Sequence, residues 1–140
     1  MKRNFIAECI ILMMIISLIT MCHDRKSEED MMVYNSSAFT MGECHNERIV
    51  VIVNQRKISD KQKYAERIVE KCRENSFKNV RFSYDLSKPN ELDIIVCRNE
   101  KEADEGRWDF RFRYVQKVGK GQYNIIDHPE KFRIEILHED

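Results

Sequence analysis

His128 is the residue best placed by its neighbours for acid–base chemistry. It stands between Asp127 and Pro129, with Glu130 two positions on. An imidazole beside carboxylates can serve as a general base, provided a second reacting group lies within about 3 Å. No Ser or Cys is set beside it by the sequence, and a His-Pro turn is ordinary loop chemistry. No residue is therefore assigned a catalytic role. A small hydrolase or ligand-binding enzyme centred on His128 stands as the alternative to a non-enzymatic function.

Metal chemistry has less support. Cys44-His45 and Cys22-His23 each pair two ligand types. A zinc site needs about four ligands, commonly as spaced pairs, and the chain contains no CxxC, HxxxH or CxxCH spacing. No metal ligand and no cofactor is expected. Of the five cysteines, Cys72 should be a small core residue. Cys97 shares the parity of Asp93 and should face away from the core. Cys44 and Cys97 are then the one pair to weigh as a disulfide, subject to their Cα atoms lying within about 7 Å.

A further group of chemistry-bearing residues is electrostatic. Arg81, Arg111, Arg113 and Arg133 take the parity opposite to the apolar residues of their segments, as do Asp85, Asp93, Asp109 and Glu135. Such a set forms either a solvated face of cross-strand ion pairs, each contributing about 0.2–1 kcal/mol, or a docking face. In the docking case arginine would be the anchor and Ile95 and Val115 the apolar contacts. An exposed sheet edge would also take an extended peptide.

These side chains need a sheet and a helix to position them. Ile49 to Val53 is an unbroken β-branched run, the mark of a strand covered on both faces or central in its sheet. Ser59 as N-cap and Gln62 three residues later open a helix, with Asp60 suited to its positive end. Tyr64, Ala65, Ile68, Val69 and Cys72 form its apolar stripe, and it ends near Asn75. The period then becomes two: Val80 to Tyr84, Leu92 to Val96, Trp108 to Tyr114, Tyr123 to Ile126 and Phe132 to Leu137 all read as strands. Asn99 to Gly106 reads as a charged loop. The expectation is an α+β domain over 47–140, ordered β-α-β-β-β-β-β. One amphipathic helix should pack on a mostly antiparallel sheet of about five or six strands.

Before the domain, 23–46 lacks a sustained period and reads as a flexible tether. Residues 1–22 form a signal peptide or membrane anchor. Lys2 and Arg3 precede Phe5 to Cys22, which is apolar except for Glu8, Ser17 and Thr20. A helix apolar all round does not suit a half-exposed core position. Two fates are open: an uncleaved anchor helix, for which about 20 apolar residues are needed, or a processed leader. Ile19-Thr20-Met21-Cys22 resembles the lipobox of the small exported lipoproteins of Gram-positive-type bacteria, many of unknown function. That resemblance implies that Cys22 becomes the lipidated first residue of the mature chain. Met21 stands where that family has Gly, Ala or Ser.

Composition bounds the function further. Lys plus Arg and Asp plus Glu are 24 each, for a net charge of zero. Without a basic excess nothing favours nucleic acid as a partner. The expected protein is a membrane-anchored domain outside the cytoplasm, or a secreted one. It should act as a non-enzymatic interaction module for an envelope or surface protein, or as a structural accessory subunit of an envelope complex. The accessory subunit would present an apolar patch or a strand edge.

Overall fold

The computed structural model describes Ile10, Met13 and residues 31–137. The chain divides into two units, Met1–Asp30 and Met31–Asp140, and the second contains the whole sheet. The rest of the leader, the Cys22 site and the first part of the expected tether lie outside the described residues.

The second unit is α+β. Its elements are β1 (Met32–Met41), β2 (Cys44–Ile52), α1 (Lys61–Glu74), β3 (Glu91–Cys97), α2 (Glu100–Asp104), β4 (Phe110–Gln116) and β5 (Phe132–Leu137), the last preceded by a 3-10 turn, Pro129–Lys131. The five strands lie side by side in sequence order. β2 and β3 are parallel, joined through α1. The other three pairings are antiparallel.

The β-branched run of β2 is an inner strand, as its pattern requires: Ile49, Val51 and Val53 are fully buried. α1 packs its stripe of Ala65, Ile68, Val69 and Cys72 onto one sheet face. There it meets a core that includes Ile94, Phe110, Phe112 and Ile125. Full burial contributes about 1.5–3 kcal/mol for each large aliphatic or aromatic side chain. The helix starts one residue later than Ser59 suggested. Asp60 is the N-cap, its carboxylate accepting from the Lys63 N–H at 3.0 Å. It ends at Asn75 in the left-handed region, φ 54°.

The order of elements differs from expectation at four places. First, Met32–Met41 of the stretch read as tether is a strand, and β2 begins at Cys44. Gly42, at φ 63°, turns the chain between them. β1 has no clean alternation of its own, so its conformation comes from its ladder with β2. Second, 80–85 is a loop and not a strand. Its alternation is real, because Phe82 and Tyr84 stack at 5.6 Å over the core edge. The backbone partner of Phe82, however, is the side chain of Asn75: the amide nitrogen donates to Phe82 O and the amide oxygen accepts from Phe82 N, each at 2.8 Å. Third, Tyr123 to Ile126 is also a loop, with Ile125 buried and its N–H bonded to Pro89 O at 2.9 Å. Fourth, the charged loop holds the short helix α2, capped by Asn99. β3, β4 and β5 form the expected antiparallel meander.

Cys72 is buried in the core as expected, and burial pushes its thiol far up. Cys97 is buried too, at 1% exposure, with its thiol donating to Arg107 O at 3.3 Å. Cys44, Cys72 and Cys97 are all free. Cys97 sits beside Ile52, at the far end of β2 from Cys44. At about 3.3 Å per residue that is roughly 26 Å away, too far for a bridge.

Candidate functional site

Among the described residues three features carry chemistry: the polar sheet face, the outer edge of β1, and a polar cluster under the 76–90 loop. The polar face lies opposite α1 and is built by register. One rung runs Ser37, Arg48, Asp93, Arg113, Glu135 across the five strands. The next places Val50, Ile95, Arg111 and Leu137 side by side.

At its centre Asp93, 7% exposed, is clamped by two arginines. Arg48 Nε donates at 2.9 Å, and Arg111 donates twice, at 2.7 Å from Nε and 2.5 Å from Nη2. Burial by itself would raise the Asp93 carboxyl; the bonds from Arg111 and Arg48 overcome it and hold the group below the ordinary carboxylate range. Arg113 binds Glu91 at 2.8 Å, and Arg133 binds Glu135 at 2.8 Å. Ile95 and Val115 are half-buried.

Arg111, Arg113 and Arg133 therefore share the face expected of them. Each is engaged with a carboxylate of the same sheet, the ion-pair ladder that was the plainer of the two readings. Arg81 is not on this face. It lies in the 76–90 loop and donates to the carbonyls of Asn75 and Phe77 at 2.6 and 2.7 Å. Its parity with the strand arginines arose from a loop that mimics alternation. Asp85 is exposed in the same loop, and Asp109 is half-buried, 3.6 Å from Arg98 Nε. Beyond Arg111 an open cleft of about 510 Å³ lies between Lys61, Trp108 and Leu137.

The edge of β1 is chemically different. Tyr34 to Met41 are all exposed. Residues 31–42 contain no charged side chain and no proline, in a chain that is 34% charged. Edge strands ordinarily carry lysine, proline or a cover that prevents pairing with another chain. The opposite edge, β5, is short and carries Arg133 and Glu135. At β1 a cover exists at one end: Asn79 accepts from Val33 N at 3.1 Å and donates to Val33 O at 2.7 Å, occupying the place of a neighbouring strand. The register shifts between Val33 and Asn35, and the Tyr34 hydroxyl donates to Asp104 of α2 at 2.5 Å. From Asn35 to Met41 the strand's backbone is laddered to β2 on its inner side. Phe39 is 40% exposed and Met41 70%.

The third feature joins His45, Glu47 and Ser87. Alternation on β2 aims His45 and Glu47 to the core side. The loop brings Ser87 to 2.5 Å from His45 Nδ1. Asn90 holds the backbone of His45 on both sides, accepting from His45 N at 2.8 Å and donating its own N–H to His45 O at 2.7 Å. Burial raises the Glu47 carboxyl, and His45 partly offsets this. Hydroxyl, imidazole and carboxylate thus follow one another as in a nucleophile relay. The last link is not closed: His45 Nε2 and Glu47 Oε1 are 3.6 Å apart, and among the described residues His45 Nε2 and Glu47 Oε2 have no hydrogen-bond partner. As built, the group ties the loop to β2.

His128 is exposed, its ring edge-on to Tyr123 at 5.1 Å. Asp127 beside it is engaged by Lys88 at 2.8 Å and by Asn124 at 3.0 Å.

Sequence reasoning missed β1 and the His45 group. The absence of charge over 31–42, between a densely charged stretch and a β-branched run, was the available signal for the edge. Nothing local links Ser87 to His45, which are 42 residues apart.

Among the described residues no helix is long and apolar enough to cross a membrane, and no group of His, Cys, Asp and Glu has the disposition of a metal site. No family model matches the chain, and no curated protein or solved structure matches it.

Proposed function

We propose that this chain is a membrane-directed docking module that works without catalysis, holding its α+β domain outside the cytoplasm and binding an extended polypeptide strand along β1. The observation that carries the docking half is the β1 edge. It offers seven residues, Asn35 to Met41, with no charge and no proline. Strand addition draws affinity from main-chain hydrogen bonds and specificity from alternate side chains. The occupant that fits is a low-charge extended segment, because the strand it would join has no charge to satisfy. The arginines of the sheet face support this choice of surface, since each is already engaged with a neighbouring carboxylate.

The membrane half rests on Lys2, Arg3 and the apolar run to Cys22. Expression of the whole chain in a bacterial host, with mass and membrane partition measured, tests it. The expected product is membrane-bound, either intact or beginning at a lipid-modified Cys22. A soluble chain without the leader or lipid would end the tethered reading.

Strand addition is tested by fluorescence anisotropy on the whole chain in detergent micelles. The probe is a labelled decapeptide of alternating Thr and Val, and its control is the same peptide N-methylated at alternate residues. With the chain diluted to single copies, saturable binding of the first and none of the second is expected. Equal binding of both, or of neither, sinks the reading.

A further inference from the structure

We infer that the strand received by β1 is β1 of a second copy, so that two five-stranded sheets join edge to edge into one of ten. The inference deepens the strand-addition reading and rests on it.

Self-pairing sets a condition that most strands fail. In an isologous contact the same surface meets itself, so a charge near the two-fold axis meets or neighbours its own copy. Like charges directly opposite in a ladder are destabilising. β1 meets the condition along its whole length, since MVYNSSAFTM has no charge.

The free stretch also defines a register. Asn79 already occupies the outer backbone groups of Val33, leaving Asn35 to Met41, whose midpoint is Ala38. An antiparallel pair related by a two-fold axis normal to the sheet keeps each face on its own side. Residues of the same parity must then oppose. Centring on Ala38 sets Ala38 against Ala38 of the second copy, Ser37 against Phe39, Ser36 against Thr40, and Asn35 against Met41. The small residues Ser36, Ser37 and Ala38 give close approach at the axis, and Phe39 and Met41 gain cover. Both α1 helices lie on one face of the joined sheet and both ion-pair ladders on the other.

The experiment is sedimentation of the whole chain in density-matched detergent micelles, with two double variants. Ser36→Lys with Thr40→Lys puts lysine against lysine twice across the axis. Ser36→Glu with Thr40→Glu does the same with carboxylates. Both positions are exposed, and an unchanged circular dichroism spectrum checks that each variant folds. The native chain is expected to carry the mass of two copies, each double variant that of one, and an equimolar mixture of the two variants that of two. A single-copy native chain overturns the inference. So does a double variant that still pairs, or a mixture that fails to pair. If the native chain is single yet still binds the Thr-Val decapeptide, strand addition stands and only self-pairing falls. If it is single and binds no peptide, both fall.

Discussion

Asn75→Ala will lower the unfolding free energy by about 3 kcal/mol, composed of about 1 kcal/mol for each of two hydrogen bonds and about 1 kcal/mol for a non-glycine residue in the left-handed region. The side chain closes α1 at φ 54° and pairs both backbone groups of Phe82 at 2.8 Å. Alanine would lose both bonds and would take on at this φ a strain that asparagine largely escapes. Glycine would lose the bonds but relieve the backbone, so Asn75→Gly should fall by about 2 kcal/mol. Urea unfolding should thus rank the native chain first, the glycine variant second and the alanine variant last. An alanine variant within the error of the native midpoint would show that the loop is held elsewhere. The consequence reaches beyond the helix end, because the same loop carries Ser87 to His45 and Asn79 to the β1 edge.

Asp93→Ala has the next largest expected effect, about 2 kcal/mol at pH 7. Removing one partner of a fully buried pair costs about 3–5 kcal/mol. The smaller figure applies because the arginine side chains are 51% and 37% exposed and water screens what remains. The pH dependence follows from the lowered Asp93 carboxyl. In the unfolded chain the group titrates near about 3.9; in the fold it titrates lower. Its stabilisation is therefore complete above the unfolded value and is lost as the pH falls through the folded one. The gap between native chain and variant in urea should be full at pH 6–7 and shrink steadily below about pH 4. A gap of the same size at pH 7 and pH 2.5 would mean that alanine acts through packing and not through the ion cluster.

Both predictions concern residues that link elements, and it is at such links that the pattern of the sequence misled. Val80 to Tyr84 alternates as a strand does, yet it is a loop packed on the core with the Asn75 amide standing in for a neighbouring strand. Arg81 was carried onto the sheet face by the same alternation. β1 shows the converse. Its residues alternate poorly because past Val33 both sides are exposed, so no buried face imposes a period of two.

What the sequence determined by itself is whatever a local period can encode. The stripe of α1 and the β-branched run of β2 were legible there. So were the alternation of β3, β4 and β5, and the common face of Arg111, Arg113 and Arg133. Each depends on burying one side of one element, which spacing alone expresses. Tertiary structure decided the remainder: that β1 joins the sheet as its outermost strand, that His45 meets Ser87, and that Asp93 lies between two arginines. Those outcomes depend on which segments become neighbours, and contacts between residues some 18 to 45 positions apart leave no period in the chain to reveal them.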